Sequence, residues 1–266
     1  MLARALALSL SIVTLIKKPY DLAEEALKSL STSPPYKIED GPLISVIIPT
    51  FMEEKWLPNC LTSLSNQTYR NFEVIIADYS SWDKTREIAS SFGAKIVDVP
   101  ERGIGLARNI GAEIAQGDYL FFTDADCVYK LSFLEELVDY AEHHREYGLV
   151  HTACVLYEGN IVERLAMYLA SILRGIWMST GRCTLVRRDV FWNVGGYDET
   201  KGGREGFAFQ PEDVDLGYRV MQAGFGVERL PWLAVATSAR RIRQFGWKKY
   251  LLSEYDGFPA PRNGVF

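Results

Sequence analysis

Apolar and polar positions along this chain change period several times, and each change marks an element. "LISVIIP" (43–49) is a continuous, largely β-branched run closed by proline, the pattern of a strand buried on both faces. "EKWLPNCLTSLSNQ" (54–67) follows with helical spacing, interrupted at Pro58. "FEVIIAD" (72–78) predicts a second strand, "KTREIASSFG" (84–93) a helix stopped by its glycine, and "AKIVDVP" (94–100) a third strand. "GLARNIGAEIAQG" (105–117) predicts a helix with Ala107, Ile110, Ile114 and Ala115 on one side, and "DYLFFTD" (118–124) the next strand. Strands alternating with helices of this length define an α/β chain built on a parallel sheet.

Beyond residue 130 the alternation loosens. "LSFLEELVDYAEHH" (131–144) predicts an amphipathic helix, "LVHTACVLY" (149–157) a strand, and "IVERLAMYLASILRGIWMS" (161–179) a long apolar helix interrupted by Arg164 and Arg174. "CTLVRRDVFWNVGGYDE" (183–199) reads as strand, short helix and Gly-Gly turn, and residues 200–210 as a Gly-rich loop. "PEDVDLGYRVMQAGF" (211–225) has Pro at a helix start and Gly224 as its stop. Ligands of such sheets bind outside the carboxyl ends of the strands. Three of those ends carry polar residues: Thr50 with Glu53, Asp78, and Asp124 with Asp126.

Composition narrows the class. The 266 residues are 48% hydrophobic and 24% charged, ample for a globular core, and the net charge of −5 excludes a strongly basic nucleic-acid-binding domain. Cations do gather in "RRIRQFGWKK" (240–249), either an anion or membrane-surface patch or a solvated helix face. Cys60, Cys127, Cys154 and Cys183 form no C-x-x-C pair, which fits reduced thiols in a cytoplasmic protein and argues against a zinc ribbon. The apolar stretch 1–16 is shorter than the roughly 20 residues of a spanning helix. It reads as an interfacial anchor, which would put the protein at the cytoplasmic face of a membrane, or as a helix packed on the domain. Residues 31–42, "STSPPYKIEDGP", read as a linker.

The pair Asp124 and Asp126 offers the hard oxygens that Mg2+ or Mn2+ prefers, although Asp is also an ordinary strand-end turn residue. Its context is more specific. "SVIIPTFMEE", "ADYSSWDKT", "GLARNIGAEIAQGDYLFFTDADC" and "GGYDE…PEDVDLGYRVMQAG" occur in that order. Over roughly residues 43–240 this ordered set resembles glycosyltransferase family 2. The resemblance implies a GT-A (Rossmann-like) fold with a central, mostly parallel mixed sheet flanked by helices. It also implies inverting transfer of a sugar from a nucleotide-diphosphate donor. The expected organisation is an N-terminal helical segment and linker (1–42), a catalytic domain (43–250) and a tail (251–266). Within the catalytic domain, 43–130 would bind the nucleotide-sugar and 131–250 the acceptor.

By the same resemblance, Pro49, Thr50 and Glu53 line the base and ribose pocket, and Asp78 hydrogen-bonds the base. Tyr79 and Ser80 stand where many relatives have Asp and Gly, so Tyr79 and Trp82 either stack on the base or cover the loop. Arg108 contacts phosphate or forms a salt bridge to Asp118 or Asp124. Asp124 and Ala125 face the donor ribose or sugar, and Asp126, with Asp124, holds a divalent cation (Mn2+ or Mg2+). Asp213 is the general base, Glu212 orients the acceptor or the base, and Asp215 is structural. Arg182, Arg240 and Arg241 belong to the acceptor or diphosphate region. Many relatives carry a His after the E-D helix as a further metal ligand; here none follows His151, and Arg240, Arg241 or Arg243 would supply positive charge instead. The donor is expected to be a UDP-sugar, with GDP-mannose as the second choice, and the acceptor a glycan or lipid-linked group. "RQFGW" lacks the Arg of the processive synthases' Q-x-x-R-W, favouring single addition. A sugar-nucleotide pyrophosphorylase would need a Gly-rich loop after the first strand, where "PTFMEEKW" has none. A pure sugar-nucleotide-binding protein would not need the base.

Overall fold

The computed structural model describes residues 17–173, 183–201 and 212–246. Its strands are β1 (Ile44–Thr50), β2 (Phe72–Asp78), β3 (Lys95–Asp98), β4 (Tyr119–Thr123), β5 (Cys127–Val128), β6 (Tyr147–Leu156), β7 (Cys183–Arg187) and β8 (Gly226–Thr237). They form one eight-stranded mixed sheet in the order β3-β2-β1-β4-β7-β6-β8-β5. β1 pairs in parallel with β2 and β4, β2 with β3, and β6 with β8, whereas β4–β7, β6–β7 and β5–β8 are antiparallel.

Alternation along β1 sorts the core into two layers. Ile44, Val46 and Ile48 pack on one face with α2 (Leu57–Ser65) and α5 (Phe133–His143). Ile47 packs on the other, with α4 (Ile104–Glu113), α7 (Arg188–Asn193) and α8 (Glu212–Gln222). Helix α3 (Thr85–Ser91) follows β2 and α6 (Ile161–Leu173) follows β6. Residues 17–28 form α1, whose Ala23 and Ala26 are fully buried against Val128, Ala153, Val155 and Tyr168. A last short helix, α9 (Arg240–Phe245), follows β8.

Three departures from the sequence pattern have physical causes. Helix α2 begins at Leu57 rather than near residue 54, because Pro58 is tolerated only in a first turn. Helix α4 buries Ala107, Arg108, Gly111 and Ala112 rather than the Ile110–Ile114 side, and Ile114 is exposed. A Cβ at Gly111 would lie 2.5 Å from Ile47, so the glycine lets the helix sit directly on the sheet. The longest strand, β8, was not marked by periodicity at all. Against β6 its register jumps from Leu230 opposite Thr152 to Ala234 opposite Ala153, so Pro231, Trp232 and Leu233 fall in a bulge, where a strand proline is tolerated.

Residues 1–16, the Gly-rich loop from 202 on, the end of the long apolar helix (174–179), Arg182 and the tail lie outside the described residues. No helix among the described residues is long and apolar enough to cross a membrane.

Candidate active site

Register brings the first two strand ends together, because Thr50 pairs directly with Asp78. Asp78 is fully buried. Its Oδ1 accepts from the Thr50 hydroxyl (2.8 Å) and the Ser81 hydroxyl (2.6 Å), and its Oδ2 from the Ser81 N–H (3.0 Å) and Arg86 (3.2 Å). The carboxylate thus fastens the loops after β1 and β2 to each other. The Met52 N–H also donates to Ser81 Oγ at 2.9 Å. Met52 (φ 59°) and Ser80 (φ 47°) are both left-handed, a strain that persists only where surrounding bonds hold it. Phe51, Tyr79 and Trp82 cluster above these loops with ring centroids 5.3 and 5.5 Å from Phe51, and Trp82 is 73% exposed. Pro49 lies within β1 beside Thr50.

The third strand end meets α8 through Arg108. This arginine is 1% exposed and lies on the sheet-facing side of α4. One guanidinium nitrogen donates to Glu212 Oε1 at 2.8 Å, and the other lies 3.5 Å from Asp124 Oδ1. The Tyr197 ring covers the guanidinium at 5.2 Å. Asp213, next to Glu212 on the first turn of α8, is buried, and its carboxyl is pushed up to about 7. Burial is the main cause, the neighbouring Glu212 charge adds to it, and Arg108 pulls the other way. Asp215 points elsewhere, pairing with Lys201 and with Arg219 (2.7 Å).

A second arginine organises the other side. From the start of α9, Arg240 makes a two-point bridge to Glu53, with NH1–Oε2 at 2.7 Å and NH2–Oε1 at 2.9 Å. Its Nε lies 2.8 Å from Asp126 Oδ2, an ion pair whose N–H is not aligned as a hydrogen bond. Thr237, at the end of β8, donates to Asp126 Oδ1 at 3.2 Å. Trp56 flanks the guanidinium at 5.6 Å. Burial lifts Glu53 to about 7 despite the hydrogen bonds and charge of Arg240. Ala125, between the two acids, is buried, and Arg241 is half-buried.

Two contributors escaped the sequence reading. Asn109 accepts the Tyr197 N–H at 2.8 Å and donates to the Tyr197 carbonyl at 2.9 Å and to Glu199 at 3.0 Å. It therefore anchors the Gly195–Gly196 turn, left-handed at φ 83° and 69°, and with it the ring over Arg108. The signal was present in "ARNIG", where an Asn adjoins the Arg on the buried side of the helix. Thr237 lies in β8 and had no such signal.

A divalent cation suits this donor set. Asp124 and Asp126 are buried carboxylates with only oxygen to offer, and Mg2+-like ions are commonly held by one or two carboxylates together with substrate phosphates. Among the described residues no cluster of three or more His, Cys, Asp or Glu side chains is placed to hold a metal.

The strand order, the acids at three strand ends and the acidic start of α8 together define a GT-A glycosyltransferase architecture, which solved structures share. S. aureus TarS residues 1–349, in complex with UDP-GlcNAc, matches with TM-score 0.57 and 21% identity, over 72% of this chain and 57% of that one. A mannosyltransferase of Pyrobaculum calidifontis, in complex with GDP-Man and Mn2+, matches with TM-score 0.58 and 18% identity over 90% and 72%. In sequence, EpsE of Bacillus subtilis, which carries a glycosyltransferase name, is 28% identical over 203 residues, covering 71% of this chain and 70% of EpsE. The sequence profile of glycosyl transferase family 2 matches residues 45–195. The chain belongs to that family. It spans less than two thirds of the length of several of its relatives, 36% and 64% in two of them.

Proposed function

We propose that this protein transfers a sugar from a nucleoside-diphosphate donor, a UDP-sugar before GDP-mannose, to an acceptor hydroxyl or lipid phosphate, with inversion at the anomeric carbon. The observation that carries the reading is the Arg108 bridge. It holds Asp124 of the D-x-D pair and Glu212 of the E-D pair on one guanidinium, so donor-side acids and Asp213 share a single buried site. Donor-bound relatives of the same fold support the donor class.

In this reading the nucleotide lies over the loops that Asp78 fastens, with the exposed Trp82 ring available for stacking on the base. Asp124 and Ala125 face the ribose and sugar. Asp126 and Asp124 would hold a divalent cation, Mn2+ or Mg2+. When bound, that ion neutralises charge developing on the departing diphosphate. Asp213 takes the proton from the acceptor hydroxyl as its oxygen attacks the anomeric carbon, and an acid near 7 is well matched to that transfer at neutral pH. An acceptor that is already an ionised phosphate would not need the base. Glu212, held by Arg108, keeps a second negative charge beside Asp213 and so raises its basicity. One base and one displacement suffice for inversion.

The test is a panel of UDP- and GDP-sugars incubated with the protein and Mg2+ or Mn2+, with release of nucleoside diphosphate as the readout. Release from a UDP-sugar above all is the expected result. Release from no donor with either ion overturns the reading.

A further inference from the structure

The D-x-D carboxylate that would bind metal already has a cation against it. Arg240 reaches Asp126 from the start of α9, and the same guanidinium is held by both oxygens of Glu53. The three residues come from the loop after β1, the turn between β4 and β5 and the start of α9, and all are largely buried, with side-chain exposures of 8%, 5% and 12%. A bare pair of acids would be costly at this burial, so some cation must accompany them. The two arms of the contact differ in kind. Glu53 is engaged by two aligned hydrogen bonds, the stronger, directional form of carboxylate recognition. Asp126 is engaged by charge alone, through an Nε–H that does not point at it. Arg240 is thus parked on Glu53 and leans on Asp126.

We propose that Arg240 is the resident counter-ion of Asp126 and competes with the divalent cation for that carboxylate, so that the donor-free site binds metal weakly. The inference rests on the reading of Asp126 as a metal ligand. Arg240 is a positioning residue: it acts through Asp126 and Glu53. A divalent ion arriving alone must displace one positive charge to gain one carboxylate. An ion arriving with a nucleoside diphosphate brings its own anionic oxygens, and the guanidinium, still tethered by Glu53, gains a negatively charged neighbour. Metal and donor should therefore bind cooperatively, each improving the affinity of the other by the same factor.

Mn2+ binding to the full chain, followed by the electron paramagnetic resonance of free Mn2+, tests this with and without UDP. Without UDP, Arg240→Gln should bind Mn2+ about tenfold more tightly than the unaltered protein, because the competitor is gone. Lys55→Gln removes an exposed positive charge two residues from Glu53, one that lies over the Trp56 ring rather than against Asp126, and should change the affinity less than about twofold on the same scale. If Arg240→Gln loses its cooperative melt, Arg240→Lys carries the test. A single ammonium cannot reproduce the fork that grips Glu53 while touching Asp126, so Mn2+ binding should again tighten. Adding UDP should tighten Mn2+ binding in the unaltered protein and do so less in the Arg240 variant. Equal affinities in the unaltered protein and the Arg240 variants, or equal gains in the Arg240 and Lys55 variants, would overturn the competition while leaving Asp126 as a ligand. Absence of Mn2+ binding in every protein, UDP present, would overturn the metal reading itself.

Discussion

Replacing Arg108 by Met removes one buried charge from a site that contains three acids, and the consequence can be worked through. The methionine keeps the apolar stem and leaves Asp124 and Glu212 without their shared cation. Breaking a buried ion pair by deleting one partner typically costs about 3–5 kcal/mol. Unfolding entropy near the melting temperature is about 2.1 cal/mol/K per residue. For 266 residues that is ~0.56 kcal/mol/K, so the melting temperature should fall by about 5–9 °C. Calorimetry near pH 8, above the raised value of Asp213, gives the largest effect. A second readout separates this role from simple packing. Arg108 pulls Asp213 downward, so without it the acid limb of the transfer rate should move to higher pH. A melting temperature within about 1 °C of the unaltered protein, with the acid limb unmoved, would refute the bridge as the organiser of the site.

Three further outcomes follow from the geometry. Asp213 must be ionised to act as a base and titrates near 7, so transfer to a hydroxyl acceptor should fall about tenfold per pH unit below that point. Its raised value also means that the folded chain keeps a proton which the unfolded chain has released, in the window from ordinary carboxylate values up to about 7. Stability linked to this group therefore declines as pH rises through that window, and Asp213→Asn should melt higher than the unaltered protein at pH 8. A lower melting temperature for that variant would contradict the sign; Glu53 titrates in the same range but is common to both proteins. Separately, Gly111→Ala places a Cβ 2.5 Å from Ile47 Cγ2, and forced overpacking of this kind costs about 1–3 kcal/mol in denaturant melts. An unchanged denaturation midpoint would show that helix α4 is free to lift from the sheet.

The parallel half of the sheet was legible because β1, β2 and β4 are mostly apolar runs, each ending in polar residues. The D-x-D pair, Asp78 and the E-D pair could be read from those ends and from the start of a helix. The Arg108–Asp124 pair was one of the readings open for that arginine, but the longer-range wiring could not be read. Glu53 and Arg240 are 187 residues apart, and Arg108 and Glu212 are 104 apart. Pairing across such separations depends on which strand ends the fold makes adjacent, and no local period carries that information. Strand β8 was illegible for a different reason: a bulge absorbs Pro231 and Trp232, so the local pattern reads as a break while the ladder continues on either side. The face of α4 was misread because small residues and a paired arginine, not the large apolar ones, are what fit against the sheet.

The central claim, that Asp213 is the base of a sugar transfer from a nucleotide donor, is tested most directly by comparing donor affinity and transfer rate in Asp213→Asn. Calorimetric binding of the donor should be within about twofold of the unaltered protein. Transfer to a hydroxyl acceptor should drop by about 10²–10⁴-fold, the usual contribution of a positioned general base. Full transfer activity in that variant, with donor binding intact, would contradict the account.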